Sequence, residues 1–98
     1  MSPSTTVTVP KKGLESNGGL ILDRGHQVVL YNDPVNVFQF VVSCLMQVFG
    51  HPAEMAYKLT MEAHSKGRSI VEVEGKSEAV LHKEQLVSFG LTAEVESI

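Results

Sequence analysis

From His26 onward the chain turns β-branched and aromatic, and Gln27-Val28-Val29-Leu30-Tyr31 runs up to the turn-forming Asn32-Asp33-Pro34, which predicts a first strand. Asn36, with Gln39 three residues on, has the capping-box pattern and predicts a helix from Val37 to Phe49 that Gly50 ends. Gln39, Ser43 and Gln47 recur every fourth residue, so this helix has one narrow wet stripe and is expected to be the buried spine. Pro52 and Glu54 suit a second helical start, and that helix stops at Lys66-Gly67. Ser69 to Glu74 alternates, with Val71 and Val73 on one face and Glu72 and Glu74 on the other, as in a half-exposed strand closed by Gly75. Ser77 can cap a third helix with apolar Val80, Val87 and Phe89, and Gly90 stands at its end. Last, Leu91, Ala93 and Val95 alternate with Thr92, Glu94 and Glu96 in a closing strand.

The predicted order is therefore β-α-α-β-α-β, a compact two-layer α+β domain whose three-stranded sheet is covered by helices on one face. The first 25 residues differ: rich in Ser, Thr, Pro and Gly, and broken by Lys11-Lys12-Gly13 and Asn17-Gly18-Gly19, they read as a flexible N-terminal tail. The division is thus a tail over 1–25 and a folded core over 26–98.

Composition narrows the function. At 98 residues, 43% apolar and 19% charged, the chain has the makeup of one soluble domain with a modest core, and a large cofactor has little room. A net charge of −3 with eight scattered basic residues argues against nucleic acid as a partner. The single cysteine, Cys44, cannot close an internal disulfide, and no signal-peptide or membrane-anchoring pattern is present, which points to a cytoplasmic protein with no membrane partner.

His26, His51, His64 and His82 lie far apart without metal-ligand spacing, so no metal is expected and isolated imidazoles are the plainer account. Cys44 with His64 and Asn32 suggests a thiol hydrolase. However, Cys44 stands between Val41-Val42 and Leu45-Met46, where apolar burial makes a thiol inert. Asn-Asp-Pro is by itself a common turn. Here a strand delivers Asn32 and Asp33 to the mouth of the apolar helix, and His64 occupies the last turn of the second helix, able to point the same way. An amide oxygen, a carboxylate and a neutral imidazole nitrogen offer acceptors to a cation. A free α-amino group, with a reference pKa of roughly 7.7 to 8.0, is such a cation, with three donors.

Val28 through Phe38, and then Ala63-His64-Ser65-Lys66-Gly67, resemble the signature of the ClpS adaptors, and the similarity spans roughly His26 to Glu96. The resemblance implies the small α+β fold and a protein that is not an enzyme. In that family a protease adaptor binds N-degrons, substrates with a large hydrophobic first residue (Leu, Phe, Tyr or Trp), and delivers them to a ClpA- or ClpC-type AAA+ unfoldase. It further implies that Asn32, Asp33 and His64 hold the α-amino group, with Asn36 beside them at the helix start. Phe38, Val41, Thr60, Ala63 and Leu91 match the hydrophobic pocket, and the tail matches the segment that helps engage the unfoldase. The compartment is then bacterial cytosol, or the stroma of an organelle of bacterial descent.

Departures from the family pattern are Pro34, where some members carry an acidic residue, Thr60, where a methionine often stands, and Ala63, where valine is frequent. Thr60 and Ala63 should enlarge the pocket, and Phe38, in place of a common methionine, partly refills it. A generic interaction domain of the ribosomal-stalk type is the alternative, and it would not need Asn32, Asp33 and His64 together.

Overall fold

The computed structural model describes residues 23–98; most of the tail expected over 1–25 lies outside them. The elements follow the expected order: β1 His26–Tyr31, α1 Phe38–Phe49, α2 Ala53–Lys66, β2 Arg68–Glu74, α3 Lys76–Ser88 and β3 Ala93–Ser97. The sheet has the order β2-β1-β3, with β1 antiparallel to both neighbours. Val28 and Leu30 of β1 point into a core closed by Val41, Val42 and Leu45 of α1 and Leu86 of α3. Because β1 is the middle strand, the turn after it emerges at the centre of the sheet's end, beside the helix layer.

α1 and α2 both end on left-handed glycines, Gly50 at φ 74° and Gly67 at φ 93°, whose N–H groups donate to Met46 O and Ala63 O. Only glycine adopts this conformation without strain. α2 turns the small side chains of Ala56, Thr60 and Ala63 inward, a stripe at helical spacing that brings its backbone close to the core.

Some expectations are corrected. α1 starts at Phe38 with Val37 as a cap that makes no side-chain bond, and Asn36 does not cap it. α1 is also less buried than expected, with Phe40 and Met46 42% and 38% exposed. α3 begins at Lys76, ahead of Ser77, because Asp23 Oδ2 accepts from the Lys76 N–H at 3.1 Å and supplies the cap from outside the helix. The backbone there is too close for any side chain, since a Cβ on Gly75 would stand 2.8 Å from Asp23 O. The buried face of α3 is Ala79 and Leu86, and Val80 and Val87 stand one position round, 36% and 48% exposed.

β2 departs from strict alternation as well. Its register against β1 shifts between Val28, opposite Glu72, and Val29, opposite Ile70. Such a bulge reverses the faces beyond it. Val73 therefore comes opposite Gln27 on the open face. Glu74, opposite His26, turns to the helix layer, where His82 Nδ1 stands 2.6 Å from its Oε2. β3 keeps its pattern, with Ala93 buried and Glu94 exposed.

Candidate functional site

A cavity of about 490 Å³ opens where β1, the turn after it, α1 and α2 meet. β1 contributes Leu30 and Tyr31, the turn Asn32, Asp33, Pro34 and Asn36, α1 Phe38 and Val41, and α2 Thr60, Met61, Ala63 and His64. Asn32, Asp33, Asn36, Phe38, Val41, Thr60, Ala63 and His64 are thus brought to one cavity from segments some thirty residues apart.

Local backbone chemistry sets this meeting. The Asn32 N–H donates to Gly67 O at 3.0 Å, and the Tyr31 N–H donates to Thr92 O at 2.9 Å. The strand end is tied in this way to the C-terminal cap of α2, whose last turn carries His64. Asp33 then folds the turn: its Oδ1 accepts the N–H groups of Val35 at 2.8 Å and Asn36 at 3.1 Å. Its Oδ2 accepts from the Asn36 side-chain amide, and the same amide donates to Gly90 O at 3.1 Å. Asn36, drawn to Asp33 and to the end of α3, is therefore unavailable as a helix cap. Its place beside the site is as a brace between the Asp33 turn and Gly90.

The donors around Asp33, first the Asn36 amide and then the Val35 N–H, hold its carboxyl below the ordinary carboxylate value against a small opposing effect of burial. It is a carboxylate at neutral pH. A carboxylate has about four acceptor positions, and three are in use within the turn. Asp33 thus presents a negative charge with one acceptor position to spare. Among the described residues, no hydrogen bond holds the side chains of Asn32 or His64, and both are exposed at the cavity.

The interior is apolar on most sides. Val41, Ala63 and Leu30 are buried, and Thr60, 4% exposed, donates its hydroxyl proton to Ala56 O at 2.8 Å within its own helix. Phe38 forms one wall, its ring packed edge-wise against Tyr57 at 5.1 Å between centroids and against His64 at 6.4 Å. Leu91 is placed elsewhere: it comes just after the end of α3, donates its N–H to Leu86 O and is buried in the core, outside the cavity lining.

Met61, which the sequence reads as a core or helix-surface residue and not as part of a binding face, is a wall of the cavity. Helical spacing carries the signal, since Met61 precedes His64 by three positions and so shares its face. It lines the cavity together with Thr60 and is 39% exposed. Cys44, 2% exposed, lies outside the lining, and burial pushes its thiol above the usual value. Such a thiol is a poor nucleophile, so the Cys44–His64 hydrolase is set aside. Among the described residues no cluster of His, Cys, Asp and Glu is grouped to hold a metal ion, and no helix is long and apolar enough to cross a membrane.

Residues 22–94 match the family model of the ATP-dependent Clp protease adaptor protein ClpS. The ClpS adapter of Thermosynechococcus vestitus is 38% identical over 68 residues, which cover 68% of this chain and 72% of that protein. That of Nostoc sp. is 37% identical over 68 residues, 68% and 70% of the two chains. Among solved structures, Agrobacterium tumefaciens ClpS2 bound to L-phenylalaninamide superposes with a TM-score of 0.72 at 24% identity, covering 74% of this chain and 95% of that one. The fold and the sequence agree, and this chain belongs to the ClpS family of Clp protease adaptors.

Proposed function

We propose that this adaptor captures polypeptides by their free α-amino group and a large hydrophobic first residue (Leu, Phe, Tyr or Trp) and delivers them to a ClpA- or ClpC-type AAA+ unfoldase, without catalysing a reaction itself. One observation carries this reading: the acceptor groups of Asn32, Asp33 and His64 stand at the mouth of a cavity whose walls are Val41, Ala63, Leu30 and Phe38. A protonated amine needs acceptors and a nearby negative charge. The side chain one bond away needs an apolar space, and burying it contributes roughly 1.5 to 3 kcal/mol.

The volume is in keeping with small-molecule sites, which run about 300 to 1,000 Å³. L-phenylalaninamide, held by the Agrobacterium relative, has the same two features, a free α-amino group and a large apolar side chain, with an amide where a peptide would continue. In this reading Asp33 supplies charge, Asn32 and His64 supply acceptors, and the compartment is bacterial cytosol or the stroma of an organelle of bacterial descent.

Fluorescence anisotropy with a labelled peptide beginning with Leu, its N-acetylated form and a peptide beginning with Ser tests the reading. Binding of the free Leu peptide alone is expected. Equal binding of all three, or none, overturns amino-end recognition and leaves the fold and family standing.

A further inference from the structure

Tyr57 lies outside the cavity lining and is 47% exposed, yet its ring contacts a cavity wall. It precedes His64 by seven positions in α2, two helical turns on the same face. The first residue of α1, Phe38, stands between them. Its ring centroid is 5.1 Å from that of Tyr57 at an interplanar angle of 64°, and 6.4 Å from that of His64 at 86°. Both are edge-to-face arrangements within the attractive range for aromatic pairs.

The consequence lies in what His64 lacks. Histidines that act through one ring nitrogen are ordinarily oriented by a hydrogen bond on the other. No such bond to His64 exists among the described residues, whereas His51 is anchored on Val71 O at 2.8 Å and His82 on Glu74. The Phe38 ring stands edge-to-face to the exposed imidazole, and the same ring packs against Tyr57.

We infer that Tyr57 is a positioning residue for amino-end recognition: through Phe38 it fixes both the cavity wall and the direction in which His64 presents its acceptor nitrogen. The inference rests on the reading of the cavity as an amino-end site. The ring, and not the hydroxyl, makes the contact, so Tyr57→Phe should keep it and Tyr57→Ala should lose it.

The test has a ligand-free arm and a peptide arm. In the free protein, the His64 ring-proton resonances of Tyr57→Ala are expected to move toward those of free imidazole, while those of Tyr57→Phe stay with the wild type. With the labelled Leu peptide, Tyr57→Ala is expected to weaken binding roughly three- to tenfold, the scale of one aromatic pair. Tyr57→Phe should match the wild type in both respects.

Unmoved His64 resonances together with unchanged affinity in Tyr57→Ala overturn the inference. Equal loss in Tyr57→Phe and Tyr57→Ala overturns it as well, by assigning the effect to the hydroxyl. A wild type that ignores the Leu peptide sinks the amino-end reading instead, and the resonances alone then decide whether Tyr57 holds His64.

Discussion

The carbonyl of Gly67 accepts the backbone N–H of Asn32 at 3.0 Å, so the residue that ends α2 also fixes the residue that opens the site turn. Gly67 sits at φ 93°, where a side chain is strained even though a Cβ there would meet nothing within 4 Å. The strain of a non-glycine residue there is about 1–2 kcal/mol, and its relief would shift the Gly67 carbonyl and with it Asn32.

Gly50 provides the control, since it ends α1 in the same left-handed conformation at φ 74°, and its N–H bonds to Met46 O within its own helix, away from the site turn. Gly67→Ala and Gly50→Ala are each expected to lower stability by about 1 kcal/mol in urea unfolding. Only Gly67→Ala should also weaken the Leu peptide. Equal effects on binding would mean that the Asn32–Gly67 bond does not set the site.

Asn36 is the second brace. Its amide holds Asp33 Oδ2 and Gly90 O together, and its bond is the foremost cause of the lowered Asp33 carboxyl. Asn36→Ala is expected to raise the Asp33 titration toward the ordinary carboxylate value, which carboxyl carbon resonances observed through the titration would show. Peptide affinity should fall together with it, because the turn that presents Asn32 loses its tie to α3. An Asp33 titration left in place by the substitution would contradict the bond's assigned role.

The sign of the pH dependence comes from the same residue. A carboxyl held below its ordinary value in the folded state adds stability above that value and loses it as pH falls through the lowered one. Asp33 therefore stays charged through the neutral and mildly acidic range. The charge that Asp33 offers to a bound ammonium is lost only as pH falls through that lowered value. Asp33's contribution to peptide affinity is therefore expected to persist in mild acid and to fall away only in stronger acid, which anisotropy titrations of the Leu peptide across acid pH would show. A fall in affinity well above the ordinary carboxylate range would assign the effect to a group other than Asp33.

The parts legible in the sequence are those written in local signals. The Asn-Asp-Pro turn, the glycines after α1 and α2, and the position of His64 in the last turn of α2 all stem from residue type and short-range spacing. The parts that were not legible depend on partners distant in the chain. Asn36 matches a cap by pattern, but Gly90, 54 residues away, takes its amide. Ser77 matches a cap as well, but Asp23, 53 residues before Lys76, caps α3 first. A bulge leaves no mark in an alternating run, so the turn of Glu74 toward His82 shows only once β1 and β2 are paired. Val80 and Val87 outrank Ala79 in hydropathy, yet close helix packing favours the small side chain at the core.

Ala63 and Met61 set the size of the accepted side chain. Ala63 is 3% exposed and faces the cavity from α2, and Met61 borders it from the same helix, 39% exposed. Ala63→Val adds two methyl groups to the wall and removes space that the largest side chains need, whereas Leu can still be accommodated. Overpacking costs about 1–3 kcal/mol, so a peptide beginning with Trp is expected to lose roughly fivefold or more in affinity relative to one beginning with Leu. Met61→Ala should shift the ratio the other way, because it opens the cavity on the side of His64. Anisotropy titrations of the Leu, Phe, Tyr and Trp peptides against both variants give the ratios directly. If Ala63→Val leaves the Trp-to-Leu ratio unchanged, the first side chain does not enter the space beside Ala63, and the cavity recognises the amino end without measuring the side chain attached to it.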